Sequence, residues 1–247
     1  RELMEGVQAG GLDFAIVPIE NTTAGSINEV YDLLGRFPVS VIGEEVLPID
    51  HCLVALEEVP LRNIRRIYSH PQALVQCSEY LRSQQDVEVE EVYDTAGAVK
   101  MIAESGEKNT AAIASAQAAA DYNMEVLASD LQIRRDNFTR FLILSPTEQE
   151  HKGDLKTTTI AALDNTAPHL PDLLSPLTDR RIEILKSELH PSRDRPWKHL
   201  LYLELDGSPR DPEISAALTQ MRTKTKELWT LGSYPKGRHA EPRIHTR

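Results

Sequence analysis

Three short polar segments in the N-terminal part of the chain carry side chains that suit anion binding. The first follows a short apolar run, precedes an apolar helical pattern and contains Asn21, Thr22 and Thr23. Helix N-termini at strand-to-helix junctions offer unpaired N–H groups, so these amide and hydroxyl side chains are placed to hydrogen-bond a carboxylate or a hydroxyl. The alternative is that they only cap the helix.

The second segment begins at Ser69 and repeats this arrangement, with a proline in the first helical turn. Ser69 lies at the helix entry, and Gln76 is expected to be exposed on the first turns. A Gln76 that is merely solvated and a His70 that caps the helix are the alternatives. We assign no metal to His70.

The third segment, Asp136–Phe141, opens an apolar strand. A hydroxyl and a guanidinium flanked by two phenylalanines suit a partly dry polar pocket, in which Arg140 pairs with a carboxylate in bidentate fashion. The alternative is an ordinary strand start with an exposed arginine. No segment has the spacing of a zinc site, and the sequence predicts no metal.

Alternating apolar runs and helical patterns position these segments. The predicted strands of the first part are the short apolar runs at 12–17, 40–46, 52–56, 66–69, 87–92, 111–114, 126–129 and 138–144. Helical patterns separate most of them, which predicts a largely parallel sheet system. Pro18 is expected to close the first strand, with a polar loop after it. Ser26 and Glu29 form a capping box at the start of the next helix.

A polar segment, 146–154, precedes a smaller C-terminal part. There the pattern is strand, helix, strand, strand, helix, strand, which is the ferredoxin-like split βαβ arrangement. The predicted domains are therefore 1–146 and 154–234, followed by a mobile tail at 235–247. Pro176 is expected to interrupt the first helix of the C-terminal part.

Composition and charge exclude several classes of protein. The 27 basic and 38 acidic residues give a formal net charge of −11, without a basic stripe, which disfavours nucleic acid as a partner. No apolar run is long enough to span a membrane. Cys52 and Cys77 lack CxxC spacing, and we expect two reduced cysteines packed as small hydrophobes in a cytoplasmic protein.

Taken together, PIENTTAGSINEVYDLL (Pro18–Leu34), YSHPQALVQC (Tyr68–Cys77) and DNFTRF (Asp136–Phe141) closely resemble the motifs of prephenate dehydratase in order and separation. The C-terminal part resembles that family's ACT regulatory domain at Arg193–Trp197 and Trp229–Pro235. The resemblance implies an α/β fold: a two-lobed, type II periplasmic-binding-protein-like catalytic domain with the active cleft between its lobes, followed by a ferredoxin-like βαββαβ ACT domain. It also implies conversion of prephenate to phenylpyruvate, water and carbon dioxide in phenylalanine biosynthesis, without metal or organic cofactor.

The resemblance assigns roles residue by residue. It makes Thr139 the candidate that donates a hydrogen bond to the departing hydroxyl, because a threonine hydroxyl is too weak an acid for early proton transfer. The other catalytic candidates, which orient the substrate or adjoin those that do, are Asn21, Glu20, Ser69 and Gln76. The substrate-binding candidates are Thr22, Thr23, Arg140 and Phe141.

The phenylalanine site that the resemblance implies is altered here. The family's Gly-Ala-Leu turn has become Pro-His-Leu at 168–170, and proline cannot donate an N–H where glycine lets a ligand approach. The family's Glu-Ser-Arg-Pro segment has become Glu-Leu-His-Pro at 188–191. We expect a kept fold with a reduced response to L-phenylalanine. The candidate effector-binding residues are His169, Leu170, Glu188 and His190.

Other functions stay open at this point. Arogenate dehydratase, which acts on the amino-acid form of the substrate, is not distinguished from prephenate dehydratase. A non-catalytic small-anion sensor on the same fold is disfavoured by the intact Thr139–Phe141 segment. The resemblance further implies a homodimer or homotetramer. The family's glycine-rich GPxGT-like loop does not precede Arg1, so a missing N-terminal segment is expected, and a fused chorismate mutase ahead of it stays open.

Overall fold

The computed structural model describes residues 1–84, 86–163, 170–191, 199–225 and 227–237, and the chain divides into two compact units. Unit 1 comprises the described residues of 1–21, 25–47 and 139–237, and unit 2 comprises 22–24 and the described residues of 48–138. The domain bounds 1–146 and 154–234 stay predictions. The Arg193–Trp197 segment and the predicted tail beyond residue 237 lie outside the described residues.

The helices and strands alternate along the whole chain. In chain order they are α1 (Glu2–Gln8), β1 (Ala15–Asn21), β2 (Gly25–Ser26), α2 (Asn28–Leu34), β3 (Ser40–Pro48), β4 (Cys52–Ala55), a short 3-10 helix (Leu61–Asn63), β5 (Arg66–Ser69), α3 (Pro71–Gln76), α4 (Ser78–Ser83), β6 (Glu88–Glu91), α5 (Thr95–Ser105), β7 (Thr110–Ala114), α6 (Ala116–Asp121), β8 (Glu125–Ala128), β9 (Phe138–Ser145), β10 (Leu155–Leu163), α7 (Leu170–Thr178), β11 (Ile184–Pro191), β12 (His199–Asp206), α8 (Pro212–Arg222) and β13 (Glu227–Pro235). No helix in the described ranges is long and apolar enough to cross a membrane.

The first sheet of unit 1 has the strand order β2-β1-β9-β3, and β1 pairs antiparallel with both β2 and β9. The prediction that Pro18 ends the first strand is wrong, because β1 continues to Asn21. The register between β1 and β9 shifts between Pro18 and Glu20, and such an irregularity is where a strand tolerates a residue without an N–H. The continued strand places Glu20 opposite Arg140 and Asn21 opposite Thr139.

The predicted capping box at the start of α2 does not form. The N-cap is Ile27, without a side-chain hydrogen bond, and the helix begins at Asn28. Ser26 Oγ instead donates to Glu188 Oε1 at 2.6 Å. The Glu188 carboxylate of β11 therefore accepts the hydroxyl hydrogen of Ser26, the side chain that the local pattern predicted to cap α2.

Unit 2 contains a five-stranded sheet with the order β6-β5-β7-β4-β8. β5 pairs parallel with β6 and β7, whereas β4 pairs antiparallel with β7 and β8. Four strands thus point one way and β4 points the other. The prediction of a largely parallel sheet system suits this sheet only, since the pairings β1–β2, β1–β9, β10–β12, β10–β13 and β11–β12 are all antiparallel.

The C-terminal strands of unit 1 form the predicted split βαβ sheet. Its order is β11-β12-β10-β13, which confirms the ferredoxin-like topology. One face packs on α7 and α8 through a core that includes Leu173, Leu203 and Leu218. The residues of its opposite face share a second core with β1, α1 and α2, in which Tyr31 and Tyr202 are among the largest fully buried side chains.

Pro176 does not interrupt α7, contrary to the prediction, because the helix runs from Leu170 to Thr178 with the proline inside it. A proline leaves the carbonyl four residues earlier without its helical donor. That carbonyl, Asp172 O, accepts instead from Lys224 Nζ at 2.6 Å and from Ser175 Oγ at 3.0 Å. A lysine that follows α8 thereby replaces the missing backbone donor.

Candidate functional site

Asn21 and Thr139 form a buried polar pair in unit 1, where the register of β1 and β9 sets them opposite each other. Asn21 Nδ2 donates to Thr139 Oγ1 at 2.9 Å, and the two residues are only 7% and 9% exposed. Since the Thr139 oxygen accepts this bond, its hydroxyl hydrogen is left for another acceptor. Within the described part of the chain no group accepts that hydrogen. Two candidates from distant motifs are therefore brought together, and the hydroxyl hydrogen of Thr139 is left as a donor.

Arg140, next to Thr139 in β9, points into a buried charge network. Its Nε donates to Glu20 Oε1 at 2.5 Å, and its Nη1 donates to Glu44 Oε2 at 2.8 Å and to Glu204 Oε1 at 2.7 Å. Burial lowers the pKa of Arg140, but Glu204 and the other carboxylates more than offset this, so its pKa is raised overall. Three carboxylates of the protein itself thus hold Nε and Nη1 of the guanidinium, and the assignment of Arg140 to substrate binding stays a prediction.

Two lysines complete this network. Lys156 Nζ donates to Glu204 Oε2 at 2.9 Å and also pairs with Glu44, and Lys186 pairs with Glu20. Burial raises the pKa of Glu204, whereas Arg140 and Lys156 lower it, with a net decrease. Glu20 is therefore a partner of Arg140 and Lys186 in this structure, and its assignment as a catalytic candidate stays a prediction.

Unit 2 contains a second polar cluster, around Gln76. Gln76 Nε2 donates to Thr23 Oγ1 at 2.8 Å, and Gln76 Oε1 accepts from Asn137 Nδ2 at 3.2 Å and lies 2.7 Å from His51 Nε2. Thr23 Oγ1 in turn donates to Asn137 Oδ1 at 3.3 Å. The alternative of a merely solvated Gln76 is thereby excluded, since the side chain is half-buried and held on three sides.

A cavity of about 260 Å³ adjoins this cluster within unit 2. Its lining residues combine amide or hydroxyl groups with a short apolar wall, and they are Thr23, Ala24, Gln72, Val75, Gln76, Gln132, Ile133, Arg134 and Asn137. Val75 and Ile133 are 71% and 48% exposed, so this wall is open to a ligand. Arg134 is paired with Asp136 through two bonds of 2.9 and 2.5 Å. The cavity thus offers neutral hydrogen-bonding groups beside an apolar surface.

Two predicted substrate contacts are engaged with the backbone. Thr22 Oγ1 donates to Asp136 O at 2.7 Å and accepts from the Phe138 N–H at 2.9 Å. Ser69 is fully buried at the end of β5, and its Oγ donates to Ile113 O at 2.6 Å. Both hydroxyl hydrogens are thus bonded to backbone carbonyls, and the assignment of Thr22 and Ser69 to the substrate site stays a prediction. His70 caps α3 by accepting from the Gln72 N–H at 3.1 Å, as one alternative predicted.

Phe141 lies half-buried in β9, opposite Pro18 of β1, and its role in shaping the pocket stays a prediction.

Of the predicted effector residues in the described ranges, Glu188 and His190 are neighbours on β11, whereas Leu170 lies on α7. Leu170 is an exposed first residue of α7, and His169 lies outside the described residues. Glu188 accepts from Ser26, and the His190 ring stacks on Tyr31 with 4.3 Å between the ring centroids. Glu188 and His190 thus contact the end of β2 and α2 inside unit 1, and their assignment to effector binding stays a prediction.

Sequence patterns missed several residues of both clusters. His51, which contacts Gln76, lies outside every polar segment singled out from the sequence, and Glu44, Lys156 and Glu204 come from three further strands. The available signal was the appearance of charged residues inside otherwise apolar strands, since such residues are buried only with partners. In the described ranges no group of three or more His, Cys, Asp or Glu side chains is placed to hold a metal ion.

Comparison with known protein families gives one matching model, described as prephenate dehydratase, over residues 1–149. A bifunctional chorismate mutase/prephenate dehydratase from Enterobacter agglomerans is 34% identical over 236 residues, which cover 95% of this chain and 61% of the relative. Arogenate dehydratase 1 from Petunia hybrida is 37% identical over 240 residues, covering 90% of this chain and 56% of the relative. The chain thus spans about three fifths of the length of these relatives.

Solved structures of similar fold cover nearly the whole chain. The prephenate dehydratase of Arthrobacter aurescens in complex with L-Phe has a TM-score of 0.82 at 28% identity, covering 94% of this chain and 78% of that one. GqqA, described as a novel type of quorum quenching acylase, has a TM-score of 0.84 at 26% identity, covering 95% of this chain and 86% of that one.

Proposed function

The chain belongs to the prephenate dehydratase family, and from that premise we propose that it is a carbon–oxygen lyase that converts prephenate to phenylpyruvate in phenylalanine biosynthesis. In this reaction the bond between the ring and its carboxylate breaks, and the electron pair completes the aromatic ring while the hydroxyl leaves. The products are phenylpyruvate, carbon dioxide and a hydroxide that solvent protonates to water. Because aromatisation drives the reaction, the protein must hold a dianion and stabilise the departing hydroxide.

The observation that carries this proposal is the Asn21–Thr139 pair. The Asn21 amide occupies an acceptor site of the Thr139 oxygen and thereby orients the hydroxyl as a donor. A preoriented donor stabilises charge that develops on a leaving oxygen without costly reorganisation. A sensor that only binds anions has no use for a donor aimed at a leaving group.

The test is phenylpyruvate formation from prephenate by the wild type, Thr139→Ala and Thr139→Ser. We expect Thr139→Ala to lose about 10²-fold in kcat while keeping its circular dichroism spectrum, and Thr139→Ser to retain most activity. A wild type that binds prephenate without turning it over would instead support the small-anion sensor.

Arogenate dehydratase is the second candidate, and the similarity to the Petunia hybrida enzyme favours its inclusion. The two substrates differ in the side chain, a keto acid in prephenate and an amino acid in arogenate. Comparing kcat/KM for both substrates with one enzyme preparation decides between them. We expect prephenate to be preferred, and a higher kcat/KM for arogenate would reverse the assignment.

The split βαβ part is proposed to be an ACT regulatory domain, and the enzyme a cytoplasmic homodimer or homotetramer. The similar Arthrobacter aurescens structure was determined with L-Phe, which supports L-phenylalanine as an effector. We expect a weak response, because Glu188 and His190 are engaged inside unit 1. Titration calorimetry with L-phenylalanine measures this, and tight, cooperative binding would contradict it. The free, buried state of Cys52 and Cys77 is compatible with a reducing compartment.

A further inference from the structure

Gln76, Thr23 and Asn137 close a ring of three hydrogen bonds beside the unit 2 cavity. The Gln76 amide nitrogen donates to Thr23, the Thr23 hydroxyl donates to Asn137 Oδ1, and the Asn137 amide nitrogen donates back to Gln76 Oε1. His51 touches this ring from outside, with Nε2 at 2.7 Å from Gln76 Oε1. His51 is only 5% exposed and does not line the cavity itself.

These four contacts alone are compatible with two opposite arrangements. If both amides rotate by half a turn and the Thr23 hydroxyl reverses, every donor becomes an acceptor and the ring still closes. The partner of His51 would then be the Gln76 nitrogen, and His51 Nε2 would have to accept. Within these four contacts, the tautomer of His51 distinguishes the two arrangements.

The two arrangements present different groups to a ligand. With His51 Nε2–H as donor, Gln76 uses one amide hydrogen on Thr23, and no acceptor in the described ranges takes the second one. In the reversed arrangement both amide hydrogens are consumed, by Asn137 and by His51, and the carbonyl faces Thr23. Only the first arrangement leaves Gln76 an N–H for a ligand oxygen.

We propose that His51 is a positioning residue that acts through Gln76: as the Nε2–H tautomer it fixes the Gln76 amide so that an N–H stays free for an oxygen of the bound anion. This inference rests on the proposed function for the identity of that anion, prephenate. The Gln132 side chain supports the position of His51, because its Oε1 accepts from the His51 backbone N–H at 2.9 Å and its Nε2 donates to Asp50 Oδ1 at 3.2 Å.

The protonation state of His51 agrees with this role. Burial lowers the pKa of His51 below its usual 6.5, against opposing effects of Gln76 and Asp50. The ring is therefore neutral at pH 7 and carries a single hydrogen, which has to be on one nitrogen or the other.

The first test needs no activity. The ¹⁵N shifts of the imidazole nitrogens of the wild-type protein, with the His51 signals identified by their loss in His51→Gln, report the tautomer at pH 7.5. We expect the Nε2–H form. A predominant Nδ1–H form would overturn the proposal whether or not the protein turns prephenate over.

The second test is a double-mutant cycle on prephenate turnover with His51→Leu, Gln76→Leu and the double variant. We expect His51→Leu to lose about 10-fold in kcat/KM, mainly through KM, and to lose nothing further in the Gln76→Leu background. His51→Gln, which can place an amide N–H near the same point, should recover most of the loss. If His51 only supported the fold, the losses in kcat/KM of His51→Leu and Gln76→Leu would add in the double variant, and His51→Leu would lower the Tm.

The outcomes separate the two proposals. An inactive wild type with the Nε2–H tautomer contradicts the proposed function and leaves the amide orientation standing. An active wild type in which His51→Leu and Gln76→Leu are additive contradicts the positioning role alone. If His51→Leu fails to fold, the comparison of His51→Gln with wild type and the tautomer measurement still decide.

Discussion

At the scale of single residues, a side chain's type matters less than what its neighbours leave free. Thr139 is a candidate donor because Asn21 fills an acceptor site of its oxygen, whereas Thr22 and Ser69 have given their hydrogens to backbone carbonyls. Whether a hydroxyl group in these motifs can still donate to a ligand thus depends on whether its hydrogen is already bonded within the protein.

Asn21→Asp tests this contrast. An aspartate at this position would accept the Thr139 hydroxyl hydrogen and add a negative charge beside the proposed site of an anionic substrate. We expect kcat for prephenate to fall by about 10²-fold, with little change in circular dichroism. Asn63→Asp, on the exposed 3-10 helix, is the matched control and should keep wild-type kinetics. Equal activity of the two variants would contradict the assignment of Asn21.

At the scale of elements, tertiary structure allows a helix and a strand to continue through prolines that local sequence rules would place at their ends. α7 continues through Pro176 because Lys224 and Ser175 donate to Asp172 O, and β1 continues past Pro18 through a register shift. In both cases a proline that should end an element lies where another group or an irregularity replaces its missing N–H.

The effects of substituting Lys224 and Pro176 on the free energy of unfolding should depend on each other. Lys224→Met removes the donor to Asp172 O, and we expect it to lower the free energy of unfolding by about 1 kcal/mol. In a Pro176→Ala background the backbone N–H returns to that carbonyl, so the same change should cost much less. Urea denaturation of the four proteins measures this. Equal losses in both backgrounds would show that Lys224 acts elsewhere.

His190 of β11 makes the free energy of unfolding depend on pH. Burial is the main cause that lowers its pKa below 6.5, and Lys186 adds to this, while Glu188 and Asp32 oppose it. Between the folded and unfolded pKa values the unfolded state binds more protons, so this contribution to stability is complete above pH 6.5 and decreases as the pH falls. The pKa of His51 is lowered as well, so His51 also makes the free energy of unfolding decrease as the pH falls.

His190→Phe keeps a ring to stack on Tyr31 and removes the titrating group. The free energy of unfolding should therefore fall less between pH 7 and pH 5 in this variant than in the wild type. Urea midpoints at several pH values measure the slope. Parallel curves for the two proteins would contradict the role of His190.

At the scale of the whole molecule, a buried charge network joins strands from both sheets of unit 1. Arg140 of β9 and Lys156 of β10 meet Glu20, Glu44 and Glu204 from three other strands. Such a network requires every member, because a charge that loses its partner stays buried. It therefore ties the strand of Thr139 to the split βαβ sheet.

Glu204→Gln should cost about 3 kcal/mol in the free energy of unfolding, since Arg140 and Lys156 would both lose a carboxylate in a buried position. Glu213→Gln is the matched control on α8, where the carboxylate is exposed and 3.4 Å from Arg180, and it should change stability by less than about 0.5 kcal/mol. Denaturant titration of both variants measures the difference, and similar small losses would show that the network is dispensable.

The sequence by itself determined the kinds and order of most elements and the family, because both follow from local patterns. Short apolar runs predicted β5 and β7 closely, and the βαββαβ order of the C-terminal part is confirmed. Motifs that lie far apart in the chain predicted Asn21 and Thr139 as one site, and strand register brings them together.

Only the tertiary structure decided the partners of polar side chains. Arg140 meets Glu44 and Glu204, 96 and 64 residues away in the chain, and Ser26 meets Glu188, 162 residues away. Gln76 meets His51 from another element. Periodicity reports which face of an element is buried, but a hydrogen bond depends on which distant residue the fold places opposite that face.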